Sequence, residues 1–179
     1  MKRVIFLILL FLISCTPAMQ QSMTPSAKTV VHDFDNHIEV IQLPVSAASS
    51  MNEDLNALGF RWTSKAPDIV RLKVGTKEIT NIYAVAFNID GATVNIEKPI
   101  DTPTNYGGWS YRQFVMPLGQ FVKLANAQIV KMKVFSVEYY NNLINILITP
   151  SSFGQSKSSA VVSGKFSGFI EQVNAQRNK

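Results

Sequence analysis

Residues 79–97 read ITNIYAVAFNIDGATVNIE, and this stretch decides the fold class. Asp90 and Gly91 form a turn dipeptide typical of two-residue β-hairpin loops, because both residues tolerate a positive φ. Such a loop pairs six apolar residues on one face: Ile89 with Ala92, Phe87 with Val94, and Val85 with Ile96. The opposite face carries Asn88, Thr93 and Asn95. Pairing register and polarity agree, so the sequence predicts an antiparallel hairpin here.

Further strands are predicted on both sides of this hairpin. They cover residues 29–34, 37–43, 60–63, 69–74, 109–116, 128–137 and 139–149. A tight turn at Asp35-Asn36 would place His32 opposite Glu39 in the first pair, and Asn141-Asn142 would join the last pair. A switch in apolar parity near residues 134–135 predicts a bulge. Consecutive hairpins favour antiparallel pairing throughout.

Three helices are predicted between and after these strands. The first is a short helix over residues 49–58, capped by Ser50 and closed by Gly59. A second follows Pro117, and a third, capped by Ser158 or Ser159, ends the chain. The apolar stripe of this last helix is Val162, Phe166, Phe169, Ile170 and Val173. We therefore expect an α+β, β-rich domain of about nine mostly antiparallel strands, sandwich-like or otherwise, with two or three covering helices.

The N-terminus has the pattern of a secretory signal. Lys2 and Arg3 precede ten consecutive apolar residues, 4–13. This run is about half of the roughly 20 residues that a spanning helix needs. It is followed by Leu12-Ile13-Ser14-Cys15, which resembles the lipobox of bacterial lipoproteins. The resemblance covers only residues 1–16.

The resemblance implies a defined modification of Cys15. In that family a diacylglyceryl group is attached to the cysteine sulfur, the chain is cut before the cysteine, and the new amino group is acylated. Cys15 is the only cysteine in the chain. Three acyl chains would hold the protein on the membrane, since even one contributes about 0.8 kcal/mol per buried CH₂. If the source is Gram-negative, Thr16 after the cysteine implies the periplasmic face of the outer membrane.

The chain is predicted to have three parts. Residues 1–14 are the predicted signal peptide, 15–27 the lipidated cysteine with a flexible tether, and 28–179 a single globular domain. Removing residues 1–14 leaves 15 Lys and Arg against 12 Asp and Glu, a net charge of +3. A charge this small and scattered predicts no nucleic-acid binding. One cysteine excludes disulfides within the chain and four-cysteine zinc sites, and two histidines exclude three-histidine metal sites.

Residues 32–37, HDFDNH, are the densest group of metal-ligand types. Imidazole and carboxylate together suit Zn²⁺ or a related ion. In the predicted hairpin, however, His32 and His37 share one face, Asp33 lies on the other and Asp35 is in the turn. Polarity of this kind at a hairpin tip is ordinary turn chemistry, so no metal ligand and no cofactor are predicted.

The segment 106–112, YGGWSYR, is the one surface region with ligand-binding character. Tyr106, Trp109 and Tyr111 could stack on a sugar or grip a peptide, with Arg112 as a charged contact. The alternative is that Trp109 and Tyr111 begin a strand and bury one face of each ring.

The predicted function is a membrane-anchored, non-catalytic envelope assembly or interaction module with a protein partner. One alternative is a tethered binder of a small lipid or glycan, which requires an apolar pocket between sheet and helices. Another is an envelope hydrolase, which requires a cleft where acidic residues such as Asp33, Asp35 or Asp101 converge.

Overall fold

The computed structural model describes residues 26–46, 56–77, 79–139, 146–156 and 163–178, and these form ten strands and two helices. The strands are β1 (Lys28–His32), β2 (His37–Ser46), β3 (Asn56–Thr63), β4 (Ile69–Thr76), β5 (Asn81–Ile89), β6 (Ala92–Ile96), β7 (Thr104–Tyr106), β8 (Trp109–Pro117), β9 (Ile129–Tyr139) and β10 (Ile146–Ser156). The helices are α1 (Leu118–Asn126) and α2 (Ser163–Arg177). The β-rich α+β class predicted from the sequence is confirmed.

The strands form two antiparallel sheets. One has six strands in the order β1-β2-β3-β4-β8-β7, and the other has four in the order β10-β9-β5-β6. Strand β4 pairs with β8 rather than with β5, so the chain leaves the first sheet to build the second and then returns. Hairpins account for the remaining neighbours except β5 and β9, which also pair antiparallel.

The β5–β6 hairpin has the predicted register. Ile89 pairs with Ala92, Phe87 with Val94 and Val85 with Ile96. Asp90 and Gly91 have φ angles of 49° and 96°, as the two-residue turn requires. The side chain of Asp90 also accepts hydrogen bonds from the backbone N–H groups of Gln128 and Ile129, which ties this turn to the start of β9.

The predicted register of the first hairpin is wrong by two residues. His32 pairs with His37 across a four-residue turn, and Val30, not His32, lies opposite Glu39. In this longer turn Asn36 takes a positive φ of 54°, and the Asp35 carboxylate accepts a hydrogen bond from the backbone N–H of His37. A shift of two residues keeps every side chain on its predicted face.

The helix predicted over 49–58 is wrong where the structure describes it. Asn56, Ala57 and Leu58 begin strand β3 and pair with β4, and residues 49–55 lie outside the described ranges. Pairing in the sheet buries Leu58, which outweighs the local helix signal. A short strand, β7, also lies between the β5–β6 hairpin and β8, where the sequence predicts no strand.

The core lies between the six-stranded sheet, the two helices and the inner face of the second sheet. Each described helix buries an apolar face, with Phe121 of α1 and Phe166, Phe169 and Val173 of α2 buried, and the described part of α2 follows the predicted stripe. Their rings meet Phe60 of β3 at centroid distances of 4.9 to 5.4 Å. The helices therefore cover one face of the six-stranded sheet and leave its other face, the outer face, toward solvent.

Candidate functional site

The sequence-predicted segment 106–112 forms the β7–β8 hairpin. Tyr106 is 81% exposed, and Gly107 and Gly108 take φ angles of 58° and 80°, which close the turn. Tyr106 pairs with Trp109 across it. The hairpin therefore presents one free aromatic ring at its tip, while the strand that follows enters the sheet.

Trp109 and Tyr111 lie together on the outer face of β8. Their rings are nearly parallel, with centroids 6.2 Å apart. Tyr111 covers Gly75 of β4, where an added Cβ would come within 2.5 Å of the tyrosine ring. The Lys73 ammonium lies 4.8 Å from the centroid of the same ring, a cation–π contact. Burial raises the pKa of the Tyr111 hydroxyl.

Arg112 points to the opposite side of β8 and is separated from those rings. Its side chain is only 11% exposed, its Nη1 donates to the Asn81 Oδ1 at 2.8 Å, and its Nε lies 3.4 Å from the Asp101 carboxylate. Asp101 also accepts a hydrogen bond from the backbone of Gln113. Arg112 therefore joins β8 to β5 of the other sheet, and the structure does not bring all four predicted residues to one surface.

The outer face continues from Tyr111 as a row of cations. Arg61 of β3 and Arg71 of β4 are direct cross-strand neighbours, and Lys73 follows two residues after Arg71 on the same face. All three are exposed. Sequence reasoning grouped residues 106–112 because they are contiguous and so missed this row. The alternation of apolar and basic residues in RLKV and FRWT is the signal that could have found it.

His32, His37 and Glu39 lie at the β1–β2 edge of the same face, and we call them the imidazole cluster. The two rings stack with centroids 4.0 Å apart and planes 3° from parallel. His32 Nε2 lies 3.1 Å and His37 Nε2 lies 3.5 Å from the Glu39 carboxylate. One potential ligand atom from each residue falls within 4.8 Å of the others. The sequence prediction of no metal ligand considered Asp33 and Asp35 as the acidic partners of the two histidines and did not consider Glu39.

Two ion pairs surround this cluster. Arg61 Nη2 donates to both carboxylate oxygens of Glu39 at 2.6 Å. Burial acts to raise the pKa of Glu39, but the Arg61 hydrogen bond and the His32 contact outweigh it and hold that pKa below its usual range. Hydrogen bonds from Lys65 and His37 hold the pKa of Asp35 far below its ordinary value. Both carboxylates are therefore anionic at neutral pH.

The acidic residues named for a hydrolase do not share a cleft. Asp35 lies in the β1–β2 turn and binds Lys65 and His37, whereas Asp101 precedes β7 and binds Arg112. Strands β3 and β4 separate β2 from β8. A cleft of about 240 Å³ lies near Asp101, lined by Ile79, Thr80, Asn81, Pro103 and Asn105. It contains none of the three acidic residues.

The lipid- or glycan-binding alternative requires an apolar pocket between sheet and helices, and in the described residues aromatic rings fill the space between β3 and the helices. Phe60, Phe121, Phe166 and Phe169 contact one another between β3 and the two helices. Each of these side chains is buried. The four rings therefore occupy the position that such a ligand would need.

Comparison of the chain with protein-family models, curated proteins and solved structures gives no match. Across the described part of the chain, neither helix has the length and apolarity needed to cross a bilayer. Cys15 and the rest of the predicted signal lie outside the described residues.

Proposed function

We propose that this chain is a lipid-anchored bacterial envelope protein whose domain acts as a non-catalytic interaction module. The observation that carries the proposal is the position of Cys15, the only thiol of the chain, directly after the apolar run of residues 4–13 and within the sequence Leu12-Ile13-Ser14-Cys15. About twelve tether residues would give a root-mean-square reach of roughly 20 Å from the lipid. Strand β1 begins at Lys28, where the predicted tether ends.

The outer face of the six-stranded sheet is the surface we assign to the protein partner. Among the described residues, α1 and α2 cover the inner face of this sheet, which leaves its outer face for a partner. It combines Arg61, Arg71 and Lys73 with the half-buried rings of Trp109 and Tyr111. Arginine and large aromatic residues are the types enriched in protein interfaces. The charge of this row predicts an acidic surface on the partner.

Metabolic labelling with a radioactive fatty acid tests the anchor. We expect native protein to incorporate the label, and Cys15→Ala protein to lose it, because only the thiolate forms the thioether. Ser14→Ala is the matched control, since it keeps a small residue before the cysteine and should keep the label. Equal labelling of native and Cys15→Ala protein would refute the anchor.

Crosslinking in membranes followed by mass spectrometry tests the surface. We expect a reproducible protein partner that is lost when Arg71→Glu and Lys73→Glu are combined. Lys131→Glu is the matched control, because Lys131 is an exposed strand lysine in the other sheet. A partner captured equally well by the double variant would place the interface elsewhere.

A further inference from the structure

We propose that His32, His37 and Glu39 form a binding site for a divalent transition metal, of which Zn²⁺ is the best fit. Two imidazole nitrogens and one carboxylate are a ligand set that Zn²⁺ commonly uses, with a fourth position left for water or a ligand from elsewhere. The inference concerns the domain itself and holds whether or not Cys15 carries lipid.

The geometry of the cluster brings three ligands to one point. His32 and His37 are a directly paired cross-strand couple, and Glu39 follows two residues after His37 on the same face of β2. Their ligand atoms lie within 4.8 Å of one another. Ligands of a tetrahedral zinc ion are roughly 3.3 Å apart, given metal–ligand distances near 2.0 Å. Both Nε2 atoms already lie near this spacing from Glu39, and binding needs the two parallel rings to rotate out of their stack so that both lone pairs point at one ion.

Asp35 orients one of the two rings as a metal site requires. Its carboxylate binds the Nδ1 of His37, so an N–H of that ring points to Asp35 and Nε2, which faces Glu39, is the atom left for a metal. Metal-bound histidines usually donate the N–H of their other ring nitrogen to a carboxylate in this way. Lys65 binds the second oxygen of Asp35 and fixes the carboxylate in place.

The second ring, that of His32, turns its Nε2 away from solvent and toward Glu39. Nε2 of His32 is out of contact with solvent and has no hydrogen-bond partner among the described residues, although a Glu39 oxygen lies 3.1 Å away. Nε2 is therefore held beside the carboxylate and away from solvent, where its lone pair can serve as a metal ligand.

A cation between the rings and Glu39 would take one lone pair from each Nε2 and one from a carboxylate oxygen. Arg61 reaches the carboxylate through its Nη2 and leaves lone pairs on both oxygens. Glu39 is 7% exposed, so the ion would be held against a nearly dry carboxylate, where its attraction is stronger than at an open surface.

Calorimetric titration with ZnCl₂ tests the site. The full chain is purified in detergent without a histidine tag, stripped with a chelator and titrated at pH 7.5. We expect saturable binding of one Zn²⁺ per chain. His32→Gln and His37→Gln should each weaken it at least tenfold, and Glu97→Gln, an exposed carboxylate elsewhere, should leave it unchanged. Circular dichroism of each variant before titration checks that it is folded.

Asp35→Asn separates a positioning role from a ligand role. Because Asp35 acts only through His37, its loss should weaken Zn²⁺ affinity by about 10- to 100-fold while the stoichiometry stays at one. Native protein supplies a measurement that needs no variant. The chain has two histidines, so its NMR spectrum has two sets of ring signals, and both should move with Zn²⁺. No saturable binding, or binding that moves neither ring, would overturn the proposal.

Discussion

Glu39 combines a charge with near-complete burial. Its neighbours Ile38 and Val40 alternate with it along β2, so the sequence predicts that Glu39 points away from the core. It does so, yet His32, His37 and Arg61 cover it. Alternation along one strand gives the face of a residue but not what the neighbouring strands place over it. The burial of Glu39 was therefore beyond prediction from the sequence.

Removing Arg61 should show how much stability the buried charge of Glu39 costs when it has lost its ion-pair partner. We expect Arg61→Met to lower the free energy of unfolding by about 1–3 kcal/mol, because Glu39 loses its main donor while remaining enclosed. Arg71→Met is the control, since Arg71 lies opposite on β4 and is exposed, and it should change stability by less than about 0.5 kcal/mol. Urea titration measures both. Equal effects would mean that the Arg61–Glu39 pair contributes nothing.

The raised pKa of Tyr111 predicts that the domain loses stability at alkaline pH. This pKa is raised above 10 in the folded chain by burial. Below pH 10 the phenol is protonated in both states, but above it the unfolded chain loses the proton more readily, so folding is disfavoured as pH rises. We expect unfolding midpoints in urea to fall less between pH 9 and 11 for Tyr111→Phe than for the native chain. Identical slopes for the two proteins would contradict this.

Strands β2 and β3 show how one element constrains another. Their register shifts between Gln42 and Val45, and Gly59 of β3 lies against that irregularity. A Cβ on Gly59 would be 2.7 Å from the backbone nitrogen of Pro44 and 2.9 Å from the carbonyl oxygen of Gln42. The glycine that the sequence suggested as a helix end is instead a point of close contact between two strands.

Two glycine substitutions should therefore act in opposite directions. Gly59→Ala should destabilise the domain by about 1–3 kcal/mol, because backbone atoms must move to admit the methyl group. Gly119→Ala should stabilise it by up to about 1 kcal/mol, since Gly119 lies in α1 with nothing within 4 Å of the added carbon. Thermal unfolding compares the two. A Gly59→Ala protein as stable as the native chain would show that the bulge relaxes freely.

Among the elements, those with strong local signals could be predicted and those that depend on distant partners could not. The β5–β6 hairpin follows from Asp90-Gly91 and from polarity alone. Residues 56–58 became strand because β4 pairs with them, and the pairing of β4 with β8 joins residues more than 30 positions apart. That pairing also assembles the outer face, which is why Arg71, Lys73 and Tyr111 were not predicted as one surface.

On the scale of the whole molecule, one aromatic cluster joins both helices to the six-stranded sheet. Phe169 of α2 contacts Phe60 of β3 and Phe121 of α1, with centroids 5.4 Å apart in each case. Phe166 adds a contact to each of the same rings. The C-terminal helix is thus bound through its aromatic stripe, which the sequence predicted from spacing alone.

Truncating this cluster should affect the entire domain. We expect Phe169→Ala to lower the free energy of unfolding by about 3–5 kcal/mol through lost contacts and the cavity left behind. Phe34→Ala should leave stability unchanged, because Phe34 is fully exposed in the β1–β2 turn. Far- and near-ultraviolet circular dichroism during unfolding would measure the stability of both variants. Loss of α2 alone, with the sheets intact, would show that the helix is a separate cooperative unit.

The position of β1 has a mechanical consequence. Any tension on residues ahead of Lys28 reaches the domain through this edge strand, which has five backbone pairs with β2 and a side-chain contact between Thr29 and Gln172. Pulled away from the sheet, β1 would peel one pair at a time, beginning at Lys28 and ending at His32. The domain thus has a weak link at the strand that residues 15–27 lead into, and the last pair to part would separate the two imidazoles.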